Sequence, residues 1–198
     1  MPKTLTQRIY TSFDDVTKAY NKVRDELIDQ GILWRNSKLD KVECLYESIA
    51  PIAALKGWMG YFDFDDHNIH FPSLYLPIGW LFGRAGEKNS ALQVIRHEFG
   101  HALADRYPET LESGGLFVKA FGSAYGDKPA EDTNPVNWEF DFVTPYAASA
   151  PREDFAETFM LFLKHKGKLP AKYANKPAIV KKWKAVAEIV KRVAAETR

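Results

Sequence analysis

Arg96-His97-Glu98-Phe99-Gly100-His101 is the stretch around which the rest of the chain is best interpreted. It contains the pattern H-E-x-x-H within a segment whose apolar residues recur at helical spacing. Two His residues four positions apart lie on one face of a helix, one turn from each other. Their imidazoles can then bind one zinc ion, while the Glu between them faces the water on the metal. The pattern therefore predicts half of a zinc site.

The helix that carries this pattern is predicted to begin at Asn89 or Ser90 and to run to Tyr107, where Pro108 ends it. Gly100 would let a neighbouring backbone approach this helix closely. The alternative is an ordinary solvated helix, which is disfavoured because the whole chain has only 5 His. The buried face is predicted to hold three apolar residues, Leu92, Ile95 and Phe99.

Two His residues do not complete a zinc site, so a third ligand must come from elsewhere in the chain. A helix predicted over Pro151–His165 offers Glu153 and Glu157, which are four residues apart and share one face. Both stand among apolar residues, and carboxylates are rarely buried unless they are paired or bound to a metal. One of them could bind zinc while the other accepts the second ring N–H of a ligand His. Spacing alone does not decide between them, and a solvated face with ordinary acids is the alternative.

These motifs resemble those of the gluzincin-type zinc peptidases related to anthrax lethal factor and the proline–proline endopeptidases. The resemblance rests on HEFGH and on a Tyr seven residues before the first Glu of an E-x-F-A-E helix, and it covers roughly residues 90–165. It implies that Glu98 is the general base and that Tyr146 donates a hydrogen bond to the oxyanion. It also implies that Glu157 holds a ligand His in place. The zinc ligands that it implies are His97, His101 and Glu153.

Tyr146 also suits this role on chemical grounds. It lies in a loop just before the Glu153 helix, and a phenol is a neutral donor that can stabilise developing negative charge. Tyr125 and Tyr107 are rival candidates. A tyrosine is also common as a plain core or surface residue, so the assignment to Tyr146 depends mainly on the resemblance.

The chain has 198 residues, which fits one domain over residues 1–198 with a sizeable core. Its composition, 45% hydrophobic and 27% charged, is ordinary for a soluble globular protein. No apolar run is long enough to span a membrane, and no signal peptide is visible. We therefore expect a cytoplasmic protein, or one exported without a visible signal peptide. Cys44 is the only cysteine, which excludes an intrachain disulfide; we expect it to be buried on a helix.

The net charge of +1 hides an asymmetry between the body and the C-terminal end. Residues 164–198 contain eleven Lys and Arg against Glu188 and Glu196. A basic segment of this kind can contact nucleic acid, acidic lipid or an acidic partner. The favoured interpretation is a solvated helix face, and we do not expect nucleic-acid binding because the segment lacks interleaved aromatics and any nucleic-acid motif.

Two helices are predicted in the N-terminal part of the chain. The first has Ser12 as its N-cap and ends at Gly31. The second begins at Ser37 and is closed by Pro51. Its apolar stripe comprises Leu39, Val42, Leu45, Tyr46 and Ile49.

Residues 55–82 are rich in aromatic and β-branched side chains and predict two or three strands. Pro72 and Pro77 cannot donate ladder hydrogen bonds, so we expect their strand at a sheet edge, where an extended peptide could pair with it. Five acidic and histidine residues cluster between the strands: Asp63, Asp65, Asp66, His67 and His70. A solvated turn is the favoured interpretation, with a second metal site as the alternative.

The segment from Pro108 to Pro145 is rich in Gly, Pro and Asn and predicts a long loop that could form a wall or lid of the site. A short strand is predicted within it at Leu116–Phe121. After the Glu153 helix, a basic C-terminal helix is predicted, with its apolar face formed by Val180, Trp183, Val186, Ile189, Val190 and Val193.

Together these features predict an α+β, zincin-like domain with a small mixed sheet, an H-E-x-x-H helix and a C-terminal helical part. Residues 1–88 would supply helices and sheet, 89–166 the zinc site, and 167–198 the basic helix. The expected activity is that of a zinc metallopeptidase, a hydrolase with one zinc ion per chain that cleaves a peptide or protein substrate. The alternative is a non-catalytic zinc-binding regulatory or interaction module, against which Glu98 argues because a structural site needs no base. The oligomeric state and the cleavage preference leave no signal in the sequence.

Overall fold

The computed structural model describes residues 12–47, 60–72, 91–127 and 138–196, and it is α+β as predicted. Within these ranges the chain forms seven α-helices and one three-stranded mixed sheet. The helices are α1 (Phe13–Asp29), α2 (Ala91–Arg106), α3 (Pro108–Glu112), α4 (Leu116–Phe121), α5 (Trp138–Asp141), α6 (Pro151–Lys164) and α7 (Pro177–Glu196). The strands are β1 (Cys44–Glu47), β2 (Tyr61–Phe62) and β3 (Ile69–Pro72).

Helix α1 begins and ends at the residues that the sequence predicts. The Ser12 hydroxyl accepts a hydrogen bond from the Asp15 backbone N–H, which satisfies one of the free donors of the first turn. Gly31 follows the helix with φ of +72°, a left-handed conformation that glycine adopts without a steric penalty. The helix packs on α2 through its buried residues, which include Val16, Val23 and Leu27.

The predicted second helix is wrong. Ser37 does cap a helical segment, but that segment is a single 3₁₀ turn over Lys38–Lys41. The chain then extends into β1, so Cys44 lies half-buried on a strand and not on a helix. Strand β1 pairs in parallel with β3, and this non-local pairing overrides the helical spacing of the apolar residues. The end of the predicted helix lies outside the described residues, at Ile49 and Pro51.

The sheet has the strand order β1-β3-β2, with β2 antiparallel to β3. Strand β3 is therefore central, and the prediction that the Pro72 strand lies at an edge is wrong. Pro72 is the last residue of β3, so the hydrogen-bond ladder before it is uninterrupted. Pro77 lies outside the described residues. Among the described strands, β2 is the edge that contacts α2.

The described part of residues 108–145 contains three short helices, α3, α4 and α5, where a long loop was predicted. Leu116–Phe121, predicted as a strand, is helix α4, and it buries Phe117 and Phe121 beside α6 and α7. A six-residue apolar run does not by itself distinguish a strand from a buried helix, which explains the error. Residues 128–137 lie outside the described ranges.

Helices α2 and α6 pack directly on each other and so bring the two halves of the predicted site together. The closest approach is at Gly100, where an added Cβ would lie 2.9 Å from the Cα of Ala156 and 3.3 Å from Phe159 Cδ1. The predicted close approach at Gly100 is therefore confirmed. The helix ends at Arg106, and its predicted first residues, Asn89 and Ser90, lie outside the described ranges.

We expect Gly100→Ala to destabilise the metal-free protein by about 1–2 kcal/mol in a urea unfolding experiment. Overpacking a tight helix contact costs roughly 1–3 kcal/mol, and the better helix propensity of Ala offsets up to about 1 kcal/mol of that. Gly126→Ala is the control, because an added Cβ there meets nothing within 4 Å. A Gly100→Ala protein more stable than the wild type would contradict the close contact.

The turn between β2 and β3 carries the clustered acidic and histidine residues, as predicted. Asp63, Asp66 and His70 also bring possible metal-ligand atoms within 4.8 Å of one another, so the alternative of a second metal site stays a prediction. The Asp63 and Asp66 carboxylates accept backbone hydrogen bonds from within the turn, which is how Asx turns close. His70 on β3 is paired at both ring nitrogens, with Nδ1 2.6 Å from Glu47 Oε1 and Nε2 2.8 Å from Asp66 Oδ2. These two ion pairs tie β1, β3 and the turn together. His67 Nδ1 lies 2.8 Å from Asp105 Oδ2 and joins the turn to α2.

The His70 pairs predict a pH dependence of stability in the metal-free protein. Burial lowers the pKa of His70, but its hydrogen bonds to Glu47 and Asp66 outweigh burial and raise that pKa overall. A raised pKa means that the stabilisation is complete below the unfolded-state pKa of about 6.5 and is lost as the pH rises through the folded-state value. We therefore expect His70→Gln to cost more unfolding free energy at pH 5.5 than at pH 8.5. An equal cost at both pH values would contradict the pairing.

Helix α7 lies against α4 and α6 with the predicted apolar face turned inward, and Trp183, Val186 and Ile189 are buried. Lys182 on this helix is also buried. Its Nζ lies 2.6 Å from Asp154 Oδ2, and this ion pair offsets the cost of burying the charge. Several of the other basic residues, including Lys184, are exposed, as expected for a solvated face. Within the described ranges, no helix combines the length and apolar character needed to cross a membrane.

Candidate active site

Helix α2 places the two His residues of the H-E-x-x-H pattern side by side. His97 and His101 are each 7% exposed, and their Nε2 atoms lie 3.1 Å apart. The two rings meet edge to face, with centroids 4.9 Å apart. Together with Glu98, they form a group whose possible ligand atoms all lie within 4.8 Å of one another. The predicted half-site is therefore present as a buried cluster.

Helix α6 contributes a carboxylate to the same point. Glu153 Oε2 lies 3.2 Å from His97 Nε2 and 3.3 Å from His101 Nε2. The three atoms thus form a nearly equilateral triangle. Zinc bound tetrahedrally at about 2.0–2.2 Å needs ligand atoms roughly 3.3–3.6 Å apart, which is close to these separations. Two imidazole nitrogens and one carboxylate oxygen are also ligand types that zinc prefers, so the residues fit a zinc ion.

The charges around this triangle favour a cation. Burial lowers the pKa of His97, but hydrogen bonds to Glu153 and Glu157 outweigh it and raise the value to about 10. Burial conversely raises the pKa of Glu153, yet hydrogen bonds to His101 and His97 leave that pKa well below its ordinary value. Carboxylates that raise the pKa of a neighbouring imidazole also attract a divalent cation, and binding of that cation to the imidazole would release the proton.

Glu157 lies on the far side of His97 from the triangle. Its Oε1 is 2.7 Å from His97 Nδ1, and its Oε2 accepts a 2.8 Å hydrogen bond from the Thr144 hydroxyl. Glu157 can therefore accept the Nδ1–H of His97 and leave Nε2 available as a ligand. Thr144 also accepts a hydrogen bond from the Ala147 backbone N–H. Sequence reasoning missed Thr144, and its position two residues before Tyr146 gave no specific signal.

His101 has a different partner at its outer nitrogen. Its Nδ1 lies 2.6 Å from the hydroxyl oxygen of Tyr125, which follows helix α4. The sequence indicates Tyr125 only as a rival oxyanion donor and does not predict this contact. The other rival, Tyr107, is fully buried with Lys38 4.6 Å from its ring centroid, and it does not line the cleft over the cluster.

Glu98 is 6% exposed and lies between the His pair and the sheet. Burial raises its pKa, the neighbouring His97 and His101 lower it, and the overall direction is upward. Its carboxylate also accepts a hydrogen bond from the backbone N–H of Phe62, so strand β2 fixes its position. A carboxylate with a raised pKa is closer to the value at which it can both accept and return a proton near neutral pH.

Tyr146 begins the 3₁₀ turn Tyr146–Ser149 that precedes α6, and it is 54% exposed. Its ring centroid lies 5.7 Å from that of His97. Burial of its inner part raises its pKa, and the nearby Glu153 and Glu98 raise it further. The phenol therefore stays neutral and keeps its O–H as a hydrogen-bond donor.

An open cleft of about 400 Å³ leads to this cluster. Strand β2 and the turn after it form one wall, and α2, Tyr146 and the start of α6 form the other. Phe64 stands on the first wall, 45% exposed, with its ring centroid 6.3 Å from that of His101. Arg152 stands on the second wall, with Nε 3.1 Å from Glu153 Oε1. Neither Phe64 nor Arg152 was singled out by the sequence.

Comparison with known families agrees with this arrangement. The family model described as "Putative zinc-binding metallo-peptidase" matches residues 87–194, which is more than half of the chain. The matched region includes the whole of α2 and α6, and therefore the buried His97, Glu98 and His101. No curated protein and no solved structure gave a significant match. The chain therefore belongs to this family of zinc-binding metallopeptidases.

Proposed function

We propose that this protein is a zinc-dependent endopeptidase of gluzincin type that binds one zinc ion through His97, His101 and Glu153. The observation that carries the proposal is the triangle of two Nε2 atoms and one carboxylate oxygen, 3.1–3.3 Å on a side, at the base of an open cleft. The resemblance to anthrax lethal factor and the proline–proline endopeptidases supports the same three ligands.

The chemistry follows from the residues around the triangle. Zinc, when bound, polarises a carbonyl group and makes water acidic enough to attack near neutral pH. Glu98 would take the proton of the attacking water and pass it to the leaving amine, a role for which its burial and raised pKa are suited. Tyr146 would donate its O–H to the oxygen on which negative charge develops.

Strand β2 supports a peptide as the substrate. It is a sheet edge along the cleft, and no described strand lies on its outer side. An extended peptide lying in this cleft would run along β2, with its scissile bond across the His97–His101 cluster. Because this mode of binding uses the middle of a chain and not a terminus, it favours an endopeptidase.

The test is digestion of a peptide library, blocked at both termini, by the zinc-loaded protein. We expect internal cleavage that a chelator abolishes and added zinc restores, with about one zinc ion per chain by metal analysis. One bound zinc without cleavage of any peptide would instead indicate the non-catalytic zinc-binding module. Cleavage only of peptides with a free terminus would contradict the endopeptidase assignment.

Tyr146→Phe is expected to lower kcat by about 10²–10³, the usual cost of removing one oxyanion donor. Zinc content should not change, because the proposal gives the phenol a role toward substrate oxygen and not as a ligand of the metal. The measurement is kcat alongside zinc per chain. Tyr173→Phe is the control, since its hydroxyl bonds the Val143 carbonyl and lies away from the cleft. Wild-type kcat in Tyr146→Phe would remove Tyr146 from the mechanism.

A further inference from the structure

The two His residues of the triangle are held by unlike partners. His97 is paired with a carboxylate that is itself held by Thr144, whereas His101 is paired with the neutral phenol of Tyr125. We propose that Tyr125 is a positioning residue for zinc binding. Its hydroxyl fixes the tautomer and the ring orientation of the proposed zinc ligand His101. The inference rests on the proposed function and adds a residue that the motif resemblance does not include.

The geometry requires a particular proton arrangement. His101 turns Nε2 toward His97 and Glu153, and this nitrogen must be unprotonated to bind a metal. The remaining nitrogen, Nδ1, then carries the ring proton and donates it to the Tyr125 oxygen 2.6 Å away.

Tyr125 is itself held in place by packing. Its ring meets Phe117 at 5.5 Å and Phe155 at 6.1 Å between centroids, both near edge-to-face. Phe155 belongs to α6, two residues after Glu153, so the same helix that offers the carboxylate supports the phenol. The turn that carries Tyr125 is closed by a 2.7 Å hydrogen bond from the Ala124 N–H to Asp127 Oδ2.

This arrangement gives α4 and the turn after it a role in the site. The segment was predicted as part of a long loop, and its helix ends at Gly122, where φ is +91°. That left-handed residue caps the C-terminal end of the helix, and Tyr125 follows it three residues later. The hydroxyl reaches only the outer nitrogen of His101, and Tyr125 does not line the cleft, so it acts through the ligand and not on substrate.

The test compares zinc affinities of full-length wild type, Tyr125→Phe and Tyr20→Phe. Tyr20 is a matched control because it is also a half-buried tyrosine, and its hydroxyl donates to the Val42 carbonyl and accepts from Arg24 rather than bonding a His. Each metal-free protein is titrated with zinc against a competing chromophoric chelator, and its thermal midpoint is recorded. Cobalt(II) is then substituted, and the visible absorption of each protein is compared.

We expect Tyr125→Phe to weaken zinc binding by about 10–100-fold, the usual effect of removing a partner of a ligand His. Its cobalt spectrum should shift, while Tyr20→Phe keeps both the wild-type affinity and the wild-type spectrum. Wild-type zinc affinity in Tyr125→Phe overturns the inference and leaves the proposed function intact. Equal losses in both variants also overturn it, because they would reflect general destabilisation. A wild-type protein that binds no zinc overturns the proposed function, and the Tyr125 inference with it.

Discussion

Glu98→Gln should lower kcat/KM for peptide cleavage by at least about 10²–10⁴, the usual contribution of a general acid–base group. The amide has nearly the same shape as the carboxylate, and its oxygen can still accept the Phe62 backbone N–H. It cannot take a proton from water, however, so the loss should appear in turnover and not in zinc content. The measurement is kcat/KM together with zinc per chain.

Glu188→Gln is the matched control for charge removal. Glu188 lies on α7, is partly exposed and pairs with Arg192, so its replacement should leave both activity and zinc content within experimental error. A Glu98→Gln protein with the wild-type rate would show that Glu98 is not the base. A protein that lost zinc along with activity would instead place Glu98 among the metal ligands.

The same variant should be more stable than the wild type when metal-free. Burial raises the pKa of Glu98, so its charged form is less favourable in the folded chain than in the unfolded chain. A carboxylate with a raised pKa destabilises the fold as the pH rises through its unfolded-state value and upward. Replacing it with a neutral amide removes this cost, and the thermal midpoint at pH 7 should rise. Such an increase would identify Glu98 as a residue retained for function at the expense of stability.

The sequence correctly predicts the half of the site on α2, because that half depends only on the spacing of residues along one helix. His97 and His101 are one helical turn apart, and any helix through them brings their rings together. Gly100 lies on the same helix, and its lack of a side chain predicts that another backbone approaches closely there. The sequence does not identify that backbone as α6. Ser12 and Gly31 likewise determine the two ends of α1 through hydrogen bonds and backbone angles within a few residues. Each of these predictions needed no knowledge of the rest of the chain.

The errors involve contacts between residues far apart in the sequence. The apolar spacing from Leu39 to Tyr46 fits a helix, but β1 is stabilised by its pairing with β3, which spacing does not report. Tyr125 reaches His101 across 24 residues, and Thr144 reaches Glu157 from a separate turn. Such contacts are decided by how helices pack, and a single sequence contains no direct record of them.

Glu153 and Glu157 illustrate the same limit within one helix. Both are 8% exposed and one turn apart on α6, so neither burial nor spacing indicates which of them binds the metal. The difference lies in which nitrogen of His97 each one meets. Glu153 lies at Nε2, which faces His101, whereas Glu157 lies at Nδ1, on the opposite side of the ring. Only the rotation of α6 against α2 sets this difference.

We therefore expect unequal effects from the same substitution at these two positions. Glu153→Ala should abolish zinc binding after dialysis, because two His residues alone leave the ion without its third protein ligand. Glu157→Ala should keep the ion but weaken its affinity by about 10–100-fold, since His97 would lose the group that orients it. Competition titration with a chelator measures both affinities, and each variant serves as the other's control.

The two variants should also differ in activity when zinc is supplied in excess. Glu157→Ala retains all three proposed ligands, so raising the zinc concentration should restore much of its kcat/KM. Glu153→Ala should stay inactive, because excess zinc does not replace a missing carboxylate. Zinc retained in Glu153→Ala and lost in Glu157→Ala would reverse the two roles. That result would mean that α6 turns toward α2 by a different face when the metal is bound, with the Glu157 oxygen taking the third corner of the triangle.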